Sequence, residues 1–224
     1  MTASHLAQQL TQLSTALLEG GHAMDAQTHK AVPDGAARTT LVTWSTPLPN
    51  DAAFPHDQFA TMEEYLFFLD HRQFSLVLND GALLQASYRL KGHEVVWHRL
   101  AFIPCPVIFS LEEMEGVVLS DFIAALSPAD ILQRISLQSA IRFDYDPLKA
   151  GPQHPASHAT LNRACCRIPV RAPLQLRGFV RFIFSNFYPS LWESEMCLHA
   201  IGDSRHNTCI TEVDLTSMHI HWHP

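Results

Sequence analysis

Apolar positions along this chain recur with two periods, and each period marks a different kind of element. Leu6, Leu10, Leu13 and Leu17 fall at spacings of three and four, which predicts a helix over Thr2–Glu19 with one apolar stripe. Gly20-Gly21 ends it. Residues 22–40 are polar and weakly patterned, Leu41–Trp44 reads as a short strand, and Pro47, Pro49 and Pro55 mark a loop. Thr61 and Glu64 form a capping box ahead of Tyr65, Leu66 and Leu69, so a second helix starts there.

A β-meander follows. Phe74–Leu78 reads as a strand, and Asn79-Asp80-Gly81 as a hairpin turn, because Asn and Gly tolerate positive φ. Ala82–Leu90 and Glu94–Ala101 are the next strands, joined by Lys91-Gly92. Pro104-Cys105-Pro106 must be extended or turned. Ser110–Glu113 makes another capping box before a helical region. Ser127-Pro128-Ala129-Asp130 starts a helix that runs to about Ser136. Gln138–Tyr145 and His158–Cys166 alternate as strands. From Leu174 to Tyr188 the spacing of Phe179, Val180, Ile183, Phe184 and Phe187 predicts a helix across the sheet, ended by Pro189. Glu212–His223 reads as a last strand. The expected fold is α+β: a mainly antiparallel β-sheet with helices packed on one face. It forms a single domain over 1–224, with residues 1–40 as an N-terminal helix and polar loop and 60–224 as the main body.

Composition narrows the class. The 224 residues are 47% hydrophobic and 17% charged, with mean hydropathy +0.01, which argues for a buried core and against disorder. Net charge is -7 and the pI about 6.0, so there is no global pull toward nucleic acid, although a local basic patch remains compatible with that charge. The 14 histidines would erase much of that charge on modest acidification. Five cysteines without a CxxC read as free thiols in a reducing compartment. With no membrane-length apolar run and no signal-peptide pattern, the expectation is a soluble cytoplasmic protein with no cofactor.

The densest chemistry lies in 141–170. Arg142, Asp144 and Asp146 alternate with Ile141, Phe143 and Tyr145; His158, Thr160 and Asn162 alternate with Ala159, Leu161 and Arg163. If the two strands pair, period two sends Arg142, Asp144, His158 and Asn162 to one face. Arg167 should join them, with His154 at the rim and His219 or His221 nearby. One histidine as base, one as acid and an arginine on the phosphate would suit metal-independent cleavage of RNA. The plain alternative is a structural network in which Asp144 pairs Arg142 or Arg167 and His154 caps a turn. Solvent access to His158 decides between them. His219, His221 and His223 share one face of the expected last strand, a geometry that metal sites use, although no spacing matches a zinc motif. Gly-x-Ser-x-Gly and P-loop patterns are absent from the sequence.

His98–Pro106, Arg142–Asp146, His154–His158 and Cys166–Val170 together resemble an uncharacterised bacterial family, domain of unknown function 2290, from about Tyr65 to the C-terminus. The resemblance implies a bacterial or mobile-element origin and assigns no activity. A local similarity of 142–162 to small toxins of toxin–antitoxin pairs rests on the Arg-x-Asp strand and the His-rich strand, but lacks their adjacent His pair. Three function classes follow. The first is an intracellular toxin or defence effector acting on RNA at Arg142, Asp144, His154, His158, Asn162 and Arg167. The second is a non-catalytic subunit that binds a protein partner through the N-terminal helix. The third is a metal-dependent enzyme using the C-terminal histidines.

Overall fold

A computed structural model describes residues 1–48, 61–163, 165–193, 201–202 and 206–221. The helix α1 (Ala3–Glu19) starts where its sequence directs, with the Thr2 hydroxyl accepting from the His5 amide. Its stripe of Leu6, Leu10, Leu13 and Leu17 is buried. Three strands follow, β1 (Ala23–Ala26), β2 (His29–Asp34) and β3 (Thr39–Trp44). The first two fall in the stretch expected to be unpatterned. The reason is position: β2 pairs with β3 at the sheet edge, has no fully buried residue, and carries Pro33, as an edge strand tolerates.

Helix α2 (Met62–Asp70) begins at Thr61, whose hydroxyl accepts from the Glu64 amide. The meander is β4 (Leu76–Leu78), β5 (Leu83–Lys91) and β6 (Glu94–Ile103). Its first turn is set by Gly81 at φ +82; a Cβ there would meet Cys105 Cβ at 2.9 Å. Between β6 and β7 (Ile141–Tyr145) lie α3 (Leu119–Ala125) and α4 (Pro128–Arg134). The Ser127/Asp130 capping box forms and starts α4, which ends at Arg134 rather than near Ser136. The Ser110/Glu113 pair also forms, yet only turns follow it until α3. A cap satisfies the first amides of a helix but does not supply the apolar face that sustains one.

The chain continues through β8 (Ser157–Leu161), β9 (Arg167–Pro169), α5 (Leu176–Phe187) and α6 (Pro189–Glu193). Strand β8 stops short of Cys166 because Asn162 turns the chain at φ +60, a conformation Asn tolerates. Within the expected strand Glu212–His223, the described residues 212–221 do not form one. Thr211 and Asp214 bond each other's amides and wind 214–216 into a 3-10 turn. Ile220 makes one bridge, to Val170, and Trp222 and His223 lie outside the described residues.

The sheet is antiparallel in the order β1-β4-β5-β6-β7-β8-β9, with β3 also pairing β5 and β2 pairing β3. One face of it carries Leu84, Ala86, Tyr88, Leu100, Phe102 and Phe143 against α1 and α5. The other carries Val77, Leu83, Ala101 and Ile103 against α2 and α3. The α+β antiparallel expectation holds, but helices cover both faces. The smaller pair, α2 and α3, covers the apolar end of the second face, and the polar residues described next lie beyond it.

Candidate functional site: a buried arginine–aspartate–histidine network

Four neighbouring strands build the site by register alone. Arg99 on β6 stands opposite Asp144 on β7, and Asp144 opposite His158 on β8. One step along, Ala101, Arg142, Thr160 and Arg167 form the adjacent row. Period two then puts Phe143 on the far face, where its ring meets Phe179 at 6.2 Å and Phe182 at 5.4 Å.

Asp144 is the hub. Its Oδ1 accepts from Arg99 Nε at 2.7 Å and its Oδ2 from Arg142 Nε at 2.6 Å. The three side chains are 12%, 8% and 6% exposed for Arg99, Arg142 and Asp144. Burial pushes the Asp144 carboxyl up, but Arg142 and Arg99 outweigh it and hold the group below the usual carboxylate range. Burial lowers the Arg142 guanidinium, with Asp144 offsetting part of the shift.

His158 is 2% exposed. Its Nδ1 lies 2.9 Å from the Pro155 carbonyl, which can only accept, so the proton sits on Nδ1. The bare Nε2 then faces Asp144 Oδ2 at 3.6 Å, two acceptors in contact. Burial drives this imidazole down to about 4, so it is neutral at pH 7. His158 is thus sealed from solvent within the network. His154 is half-buried at the margin, its ring 4.9 Å from that of His158, and burial and then Arg167 lower its pKa. Arg167 is partly exposed, while its Nε is buried with no hydrogen-bond partner among the described residues; Thr160 Oγ1 is in the same state.

The structure thus brings Arg142, Asp144, His158 and Arg167 together with His154 at the edge. Asn162 is exposed in the turn after β8 and stands apart. His219 bonds the Ser217 carbonyl, and His221 Nε2 meets Arg171 Nη1 at 2.6 Å. No three His, Cys, Asp or Glu side chains converge on a metal-sized position among the described residues. Two features escaped sequence reasoning. Arg99 shares the hub carboxylate, and its signal is a charged residue inside the apolar run of β6. The second is a charge asymmetry: residues 147–192 hold six of the chain's 15 Lys and Arg and none of its 22 Asp and Glu.

These features define an α+β protein with an antiparallel sheet of nine strands and a buried Arg–Asp–Arg hub at one end of a face. A family model described as "Uncharacterized conserved protein (DUF2290)" matches residues 24–222, and the chain belongs to that family. The match reaches back through β1–β3, beyond the Tyr65 start of the resemblance. No curated protein and no solved structure matches, so the local similarity to toxins finds no support there. Among the described residues, no helix is long and apolar enough to cross a membrane.

Proposed function

We propose that the protein acts on RNA, with Arg167 holding a backbone phosphate at the mouth of the network and His154 as the proton-exchanging group beside it. The observation that carries this reading is the partly exposed guanidinium of Arg167, whose Nε has no hydrogen-bond partner among the described residues, opposite Thr160, whose hydroxyl is in the same state. A phosphate oxygen supplies the acceptor that a guanidinium donor lacks. The hub beneath, Arg99–Asp144–Arg142 with His158, is the support that fixes β8 and β9. Burial and Arg167 lower the His154 imidazole, so it is neutral at pH 7 and can take the proton of a ribose 2′-hydroxyl as that oxygen attacks the phosphorus. The P–O5′ bond breaks and the 5′-oxygen leaves with a proton from water. The acid-free stretch 147–192 adds local attraction for a polyanion in a chain that is acidic overall. The stripe of α1 is taken up by the core, so a binding subunit would need a different surface.

The test is to incubate end-labelled single-stranded RNA with wild type, Arg167→Ala and His154→Gln. Wild type should bind and cut it. Arg167→Ala should bind more weakly and lose cutting, while His154→Gln should bind without cutting. RNA left unbound and intact by wild type at low salt contradicts the reading.

A further inference from the structure

A second basic feature lies on the α5 side of the sheet, away from the Asp144 hub. The chain leaves β9, runs through 170–175 into α5, and the C-terminal segment returns beside it. Between them is a groove of about 670 Å³ lined by Arg171, Arg177, Arg181, Phe182, His206 and Thr208, among others. That size falls within the range of small-molecule sites, roughly 300–1,000 Å³. No Asp or Glu lines it among the described residues.

The sequence places these cations. Leu176, Phe179, Val180, Ile183 and Phe184 bury one side of α5, which fixes the helix's rotation. Arg177 and Arg181 are one turn apart and share the other side, facing the groove. Arg171 is set by His221, whose Nε2 accepts from its guanidinium. Opposite, His206 Nε2 is buried and has no hydrogen-bond partner among the described residues. Like charges gathered along a concave wall raise the local potential and draw an anion. Guanidinium forks match phosphate oxygens in pairs, and the Phe182 ring offers an apolar wall to whatever the phosphate esterifies.

We propose that this groove is a phosphate-ester site, in which Arg171, Arg177 and Arg181 grip the phosphate oxygens. A free nucleotide and an RNA strand present the same chemistry, and the experiment separates them. The inference stands on the groove alone and does not require the RNA reading of Arg167.

Calorimetric titration with inorganic pyrophosphate and with ADP, and fluorescence anisotropy with a ten-nucleotide single-stranded RNA, would be run on wild type, Arg177→Ser/Arg181→Ser and Arg167→Ala. Thermal melting confirms that the variants fold. Wild type should bind at least one probe saturably, and the double variant should weaken that binding about tenfold or more. Loss confined to pyrophosphate and ADP assigns a nucleotide; loss confined to RNA assigns a strand. Retention of pyrophosphate binding in Arg167→Ala separates the groove from the hub, and holds even if wild type fails to bind RNA. No saturable binding of any probe by wild type, or equal binding by the double variant, overturns the proposal.

Discussion

Asp144 joins two guanidiniums in a space that water barely reaches, and its removal leaves both without their shared carboxylate. Breaking a buried ion network from one side is severe, so Asp144→Asn should destabilise the protein by about 3–5 kcal/mol in urea unfolding. A loss below about 1 kcal/mol would mean that water compensates the arginines. The histidines set a pH dependence. Burial lowers His158 to about 4 and His98 to about 3, below the ordinary 6.5. The unfolded chain therefore takes up these protons first as pH falls. Their stabilising effect is complete above about 6.5 and is lost progressively toward pH 4. Asp144 adds a loss in the same direction at still lower pH. Urea midpoints should fall between pH 7 and 5, with a shallower slope in His158→Gln; a flat profile across that window contradicts the burial argument.

At the scale of elements, packing separates helices that look equally regular. Leu10 of α1 is 2% exposed, whereas Leu132 of α4 is 76% exposed and α4 buries no residue. Leu10→Ala should cost about 2–5 kcal/mol, and Leu132→Ala should stay within about 0.5 kcal/mol. Thermal or urea melts of the two variants check the contrast. The same contrast explains what was legible in the sequence. The stripe of α1, the capping residues Thr61 and Ser127, the Gly81 turn and the strands on either side of it are local signals, and the alternation of 141–145 and 158–161 likewise marks β7 and β8. Strand β3 falls on the expected Leu41–Trp44, but its edge partner β2 was hidden in a stretch read as polar and weakly patterned. The end of β8 depended on one Asn, and the expected C-terminal strand yielded to a Thr211–Asp214 turn. In the candidate site, alternation placed Arg142, Asp144 and His158 on one face. It could not show that Arg99 would share Asp144, since that contact comes from the pairing of β6 with β7, 45 residues apart. Nor could it show that His158 would be sealed.

At the scale of the whole molecule, the charges are unevenly divided. The edge formed by β8, β9 and α5 holds the acid-free stretch, while the acidic residues lie elsewhere in the chain. On the proposed reading this basic edge is what draws RNA, and such an attraction weakens with salt. We propose that Arg167 contacts an RNA phosphate. The most direct measurement is the affinity for single-stranded RNA over a series of salt concentrations, for wild type and Arg167→Ala. For wild type, log affinity should fall linearly with log salt; the variant should bind more weakly at every point, with a slope shallower by about 0.7. Coincident lines for the two proteins, or no binding by wild type at the lowest salt, would contradict it.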